Sequence, residues 1–293
     1  MFGGMVGSYM DESFDPVRRA GALGVFAVGG LMGAGGPFFE LERRWEKLRN
    51  RPDINIQYFK ASECERGKGE FAKFVIDSDN ITPAEREKLD SISREFIEII
   101  VKPVPFDSNP YLFIFGVGIV QGEFYDVVKS DPKARSVLGD DPYRLAYDFA
   151  MIQCAWAVKQ VGHGDCVSFV CDKNEQYSAL ANEAYRKLKK KNPNAASHMA
   201  TFSFGDDKGC EPLQAADAAV FEVRRALNLN LHQWKGHLRD QFKQLDAAGA
   251  MSLITLVTKE QLLHIVATHE PEQPFNLDVV MNEKRDENIT LGI

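Results

Sequence analysis

Three aspartates stand where carboxylate chemistry would need them. Asp217 lies in the run Cys210-Glu211-Pro212-Leu213-Gln214-Ala215-Ala216-Asp217-Ala218-Ala219-Val220. Leu213, Val220 and Leu227 recur every seven residues and share one helical face. Asp217 falls on that same face, four residues after Leu213 and three before Val220. A carboxylate on a buried stripe is expensive unless a cation or hydrogen bonds compensate it. Two compensators are open: Arg224, seven residues on along the same stripe, or a metal ion shared with carboxylates from elsewhere. Asp11 follows the apolar run Met5–Met10, and Asp172 follows Val167–Cys171. Both runs read as buried strands, which puts each aspartate at a strand's carboxyl end, where ligands collect in α/β sheets. Three converging acids repel one another unless a hard cation sits between them. Mg²⁺ or Mn²⁺ suits an all-oxygen site. Two such ions about 3.5–4 Å apart clamp the attacking and leaving oxygens of a phosphodiester. Taken one at a time, each aspartate reads more simply as a strand-end or helix residue making local hydrogen bonds; taken together, the three weaken that reading.

The elements that must position these acids follow from periodicity. Met5–Met10 and Leu23–Leu31 are expected to pair as a hairpin across a turn at 14–21. A helix is expected at Phe38–Leu48, with Leu41, Trp45 and Leu48 inward. Ile54–Phe59 alternates enough to predict a third strand. Pro83–Val101 is a helix capped by Thr82, with Glu85 completing a capping box. Tyr111–Val120 is strongly β-prone and expected to be central. Helices follow at Pro142–Gln160 and Gln176–Lys191, and Ala200–Phe204 reads as a short edge strand. Pro212 opens the Asp217 helix, where its missing N–H is harmless. Amphipathic helices are expected at Gln233–Leu245 and Lys259–Thr268. Glu270–Ile293 is polar and weakly periodic, so it is expected to pack loosely. Strands and helices alternate after the first hairpin, which predicts an α/β sheet covered by helices.

Other chemistries find little support. The glycines at 29–36 fit neither the dinucleotide fingerprint nor a Gly-Lys-Ser/Thr phosphate loop. The six histidines show no zinc spacing, and no Gly-x-Ser-x-Gly elbow supports a serine triad. The five cysteines are an odd number without a Cys-x-x-Cys pair, which reads as reduced thiols. Cys64 beside Glu63 reads as a buried thiol. The run Arg186-Lys187-Leu188-Lys189-Lys190-Lys191 ends a helix, where cations complement the dipole. With 35 basic against 42 acidic residues, the net charge of −7 argues against a broad nucleic-acid-coating surface, though not against a local basic groove. No signal peptide and no span long enough for a bilayer is legible, so a soluble cytoplasmic protein is expected. The oligomeric state is not legible.

Asp11-Glu12-Ser13, Asp172 and Leu213-Gln214-Ala215-Ala216-Asp217 together resemble the bacterial family catalogued as domain of unknown function 3800. Ala61-Ser62-Glu63 is a weaker match to that family's His-x-x-Glu-like segment. The likeness spans about residues 5–227. Two positions depart from it: Phe14 stands where the family usually has Gly, and Lys60 where a His is expected. The resemblance implies a ribonuclease H-like mixed sheet flanked by helices over residues 1–230, with a C-terminal helical extension and tail over 231–293. It further implies a metal-dependent nuclease on RNA or DNA. Asp11 would bind the first Mg²⁺ or Mn²⁺, Asp172 would share it, and Asp217 would hold the second. The fourth acid is open: Glu63 comes first as a catalytic residue, Glu12 second as a metal ligand, and Glu175 is within reach if the following helix starts there. A non-catalytic module of the same fold, serving phage defence or a mobile element, is the alternative.

Overall fold

The computed structural model describes residues 5–14, 24–102, 112–161, 165–231, 238–247 and 252–271, with Gln273 and Phe275. Six strands form one mixed sheet: β1 Met5–Phe14, β2 Val25–Gly33, β3 Phe113–Val120, β4 Cys166–Asp172, β5 Met199–Gly205 and β6 Ser252–Val257. Their spatial order is β5-β4-β1-β2-β3-β6. β1, β2 and β3 make an antiparallel meander, β4 and β5 add in parallel beside β1, and β6 adds in parallel beside β3. This is the α/β architecture expected, a mixed sheet with helices on both faces.

Two apolar cores flank the sheet. One holds α1 (Gly35–Arg49), α3 (Pro83–Val101), α9 (Glu211–Leu231) and α10 (Asp240–Ala247), with Trp45, Phe59 and Phe96 packed ring against ring. The other holds α4 (Gln121–Ser130), α5 (Pro132–Leu138), α6 (Pro142–Val161), α7 (Ser178–Lys191) and α11 (Lys259–Thr268). Two short helices, α2 (Ala61–Arg66) and α8 (Pro193–Ala196), complete the described set. Among the described residues no helix is long and apolar enough to cross a membrane.

Side chains alternate across β1, as a strand's pleat requires. Met10 enters the α6 core, whereas Tyr9 packs on the α1/α9 core. Asp11 and Ser13 therefore share the α9 face with Tyr9, and Glu12 the α6 face with Met10. β1 also runs past Met10 to Phe14, so Asp11 sits inside the strand and not after it. The turn expected at 14–21 lies almost wholly outside the described residues.

The strand expected at Ile54–Phe59 does not form. Ile54, Ile56 and Phe59 are buried, so their spacing marks the core-facing side. Their amides, however, find other acceptors. Ile54 and Asn55 donate to the Arg51 carbonyl, Ile56 to Arg49, and Phe59 to the side chain of Gln214. Asn55 at φ 43° turns the chain where a ladder would need it extended. By contrast, α3 starts at Pro83 behind the complete Thr82–Glu85 capping box. α10 begins at Asp240; residues 233–237 of the helix expected at 233–245 lie outside the described set. Within the region expected as an extension, residues 252–257 enter the sheet as β6. The basic run 186–191 closes α7, and Lys189 there donates to the carbonyls of Ala196 and Met199.

Asp148 on α6 carries a stability cost that pH controls. It is buried, its Oδ1 has no hydrogen-bond partner, and Lys187 approaches its Oδ2 only to 3.9 Å. Burial pushes its carboxyl up to about 7, against the pull of Lys187 and Arg144. The folded protein thus holds this proton more tightly than the unfolded chain. The benefit is complete below about pH 4 and lost as pH rises towards 7. Asp148→Asn is expected to gain stability relative to wild type across that window, by up to about 4 kcal/mol at pH 8. Urea unfolding at pH 5 and pH 8 measures the gap; equal gaps at both would refute it.

Candidate functional site

The acids meet on the α9 face of the sheet, at the carboxyl ends of β1, β4 and β5. In the parallel β1–β4 pair the register brings Met10 beside Cys171. One residue on, Asp11 and Asp172 follow as neighbours, both on the face opposite Met10 and Cys171. α9 lies across β1 and β2 and brings Asp217 down onto Asp11. The helix can come this close because β2 carries Gly30 beneath it: a Cβ on Gly30 would stand 3.1 Å from the Ala216 Cβ. Gly30 therefore serves the close approach of helix and strand.

Lys60 supplies a cation in the midst of these acids. It sits just before α2, and its Nζ is 2.7 Å from Asp207 Oδ2, 3.7 Å from Asp217 Oδ1 and 3.8 Å from Asp11 Oδ2. Asp217 Oδ2 accepts the Ala61 amide at 2.6 Å. Compensation for the buried Asp217 thus comes from Lys60 and the Ala61 amide, while Arg224 donates its Nε–H to Ser13 Oγ at 2.9 Å. Asp11 Oδ1 accepts the Glu12 amide, but Asp11 Oδ2 is buried with no hydrogen-bond partner.

Asp207 was not legible as a site residue in the sequence. It sits in the 3₁₀ turn Asp207–Gly209 just beyond β5. Its amide donates to Asp172 Oδ1 at 3.2 Å while its carboxylate holds Lys60. The signal was its position after an edge strand, the same strand-end rule that found Asp172. Gln214, from the helix motif, builds the frame. It is fully buried; its Oε1 accepts from Trp45 Nε1 and the Phe59 amide, both at 2.9 Å. Its Nε2 donates to the Asp207 carbonyl at 2.8 Å. One side chain therefore fixes both the segment that delivers Lys60 and the turn that delivers Asp207.

The other expected acids lie elsewhere. Glu12 faces α6, where its carboxylate accepts the Tyr147 hydroxyl at 2.9 Å and the Asn174 side-chain amide. Glu63 lies on α2 and faces Tyr58, whose hydroxyl donates to it at 3.3 Å, and the turn at Gly69. Glu175 is exposed, three residues before α7 starts.

The electrostatics are those of an under-neutralised acid cluster. Three carboxylates, Asp11, Asp207 and Asp217, lie within 3.8 Å of one ammonium, and Asp172 adjoins them by accepting the Asp207 amide. Burial raises the Asp11 pKa well above its ordinary value; Lys60 opposes this, and Glu12, Asp217 and Asp172 add to it. Burial and the nearby Asp207 raise Asp172. Burial pushes Glu12 up to about 7 against the lowering Tyr147 hydrogen bond. Burial disfavours the charge on Lys60, but Asp217, Asp11 and Asp207 outweigh it and raise its pKa. Lys60 is thus held in its charged form by these three acids.

Oxygen donors of this kind suit a hard divalent ion, and the unpartnered Asp11 Oδ2 leaves a ligand position unused. Their spacing is that of an ammonium, however. Mg²⁺ needs oxygens at about 2.0–2.1 Å, whereas those around Lys60 Nζ stand at 2.7–3.8 Å. Accordingly, among the described residues no three His, Cys, Asp or Glu side chains are grouped as metal ligands. Comparisons with protein-family models, curated proteins and solved structures gave no significant match.

Proposed function

We propose that the protein is a divalent-metal-dependent nuclease that hydrolyses phosphodiester bonds of RNA or DNA, with the site on the α9 face of the sheet. The observation that carries this reading is the excess of acid: three carboxylates share one ammonium, Asp172 stands beside them, and Asp11 Oδ2 is buried with no hydrogen-bond partner. Asp11, Asp172 and Asp217 would hold Mg²⁺ or Mn²⁺, with Asp207 in the place of the fourth acid. The ion supplies charge neutralisation and activated water for in-line displacement at phosphorus. Around it, Gln214 keeps the Lys60 and Asp207 segments in register, and the Ala61 amide orients Asp217. At the rim, Lys208 lies over the Tyr58 ring, 5.2 Å from its centre, a cation–aromatic pair suited to a phosphate and a stacked base. The likeness to the domain of unknown function 3800 family supports the same reading.

One observation favours a second reading. Because Lys60 already occupies the shared position, the fold keeps its acids without a metal, as a non-catalytic binding module would. The test is cleavage of labelled RNA and DNA oligonucleotides with and without Mn²⁺, alongside Asp217→Asn. A metal-stimulated activity that falls at least about a hundredfold in the variant, at an unchanged melting temperature, supports the nuclease. Equal cleavage by both proteins would rule it out, and no cleavage by a folded wild type favours the binding module.

A further inference from the structure

Lys60 and a divalent ion cannot share one position. The ammonium touches oxygens of three acids, and the spacing it imposes is too wide for Mg²⁺ or Mn²⁺. We propose that Lys60 is a tethered stand-in for the metal: it holds Asp11, Asp207 and Asp217 apart at rest, and a divalent ion loads only by displacing it. This rests on the metal-dependent reading above and adds a competitor that the chain itself provides.

The surroundings suit such an exchange. Asp11 and Asp217 are rooted in β1 and α9, both buried, and cannot leave. Lys60 is different. Its backbone is held just ahead of α2 by the bond from the Phe59 amide to Gln214, but its side chain is 27% exposed, a way out to solvent along a flexible stem. Its shortest contact is to Asp207, which lies on the outer turn after β5 and not in the sheet. Lys60 can therefore swing outward and leave Asp11 Oδ2 and Asp217 Oδ1 free to close on a smaller, doubly charged ion. Two positive charges in place of one also match the residual negative charge of the cluster better.

The linkage has a measurable sign. A ligand that binds only the Lys60-out state has an apparent Kd raised by the inverse of that state's population. A tethered charge is present at an effective concentration of millimolar or more, so the out state is a minority. Mn²⁺ titration of the full chain by calorimetry should therefore show Lys60→Met binding roughly tenfold or more tightly than wild type. Lys60→Arg, which keeps the charge, should not gain. In wild type, acylation of Lys60 by an amine-reactive reagent, read by mass spectrometry, should speed up as Mn²⁺ saturates, because displacement releases the ammonium from its acids. Equal Mn²⁺ affinity of wild type and Lys60→Met overturns the stand-in and leaves the metal reading intact. Binding by Lys60→Met alone overturns loading by displacement in the native chain, and the metal reading with it. Binding by neither overturns both. Should Lys60→Met melt too low to titrate, the wild-type labelling decides: a rate indifferent to bound Mn²⁺ overturns the proposal.

Discussion

Asp11→Asn is expected to melt higher than wild type while losing metal-stimulated cleavage altogether. Asparagine keeps the volume and the oxygen that accepts the Glu12 amide. It removes an acid that is 3% exposed, whose charge is disfavoured by burial and by the nearby Glu12, Asp217 and Asp172, and which has a carboxylate oxygen without a hydrogen-bond partner. Lys60 gives only partial relief at 3.8 Å, and it keeps Asp207 at 2.7 Å when Asp11 is neutral. The new amide also gains a donor beside the Asp217 carboxylate. Leaving a buried polar atom unsatisfied costs about 1–3 kcal/mol, so relief of that order is the expected gain. For a chain of this size each kcal/mol moves the melting temperature by about 2–4 °C. Thermal melting in the absence of metal, run beside the cleavage assay, tests both halves. A gain in stability coupled to a loss of function marks a residue kept for its chemistry and not for the fold. A lower melting temperature would instead make the Asp11–Lys60 pair a structural one, and the nuclease reading would lose its central ligand.

The sequence was most legible where a local rule and the packing agree. α11 begins and ends where its periodicity says, behind the Thr258–Gln261 capping box, and α3 does so behind Thr82 and Glu85. The hairpin of β1 and β2 and the edge position of β5 were also within reach of period-two patterning. Asp11, Asp172 and Asp217 could be singled out because each breaks or ends an apolar pattern. Where burial and backbone pairing part company, the pattern misleads. Ile54, Ile56 and Phe59 alternate towards the core, yet a side-chain amide from α9 replaces the strand partner at Phe59. β6 and the helices α4 and α5 were not read at all. Residues 252–257 took on a strand's role only through pairing with β3, more than 130 residues earlier in the chain. Lys60 was visible as a departure from a family pattern, but its contact with three acids depends on a non-local frame built by Gln214. Asp207 was hidden among ordinary turn residues, Gly205-Asp206-Asp207-Lys208-Gly209, whose local chemistry already explains them.

The glycines under α9 carry the largest expected effect on folding. Gly30 pairs with Met10 across the β1–β2 ladder at φ 156°, and an added Cβ would stand 1.9 Å from the Tyr9 carbonyl oxygen. That oxygen belongs to a central strand held on both sides, by β2 and by β4, so it cannot retreat as a flexible side chain would. Gly29 is equally confined, its Cβ position lying 2.4 Å from the Phe115 carbonyl oxygen of β3. Gly30→Ala must therefore open the ladder one residue before Asp11 or lift α9 at Ala216. Overpacking of this kind costs about 1–3 kcal/mol where side chains can adjust, and more where backbone must move; losses above about 4 kcal/mol are expected here. Gly35→Ala is the matched control, since a Cβ there meets nothing within 4 Å and alanine favours the first turn of α1. Urea unfolding of both variants is the measurement, with Gly35→Ala at or above wild type and Gly30→Ala unfolded or barely folded. The two effects separate position from composition: the same substitution in the same glycine-rich stretch is tolerated at the helix and not beneath it. If Gly30→Ala unfolds within 1 kcal/mol of wild type, α9 does not lie as close to β1 and β2 as Asp217 requires to reach Asp11, and the shared cation position loses its geometric basis.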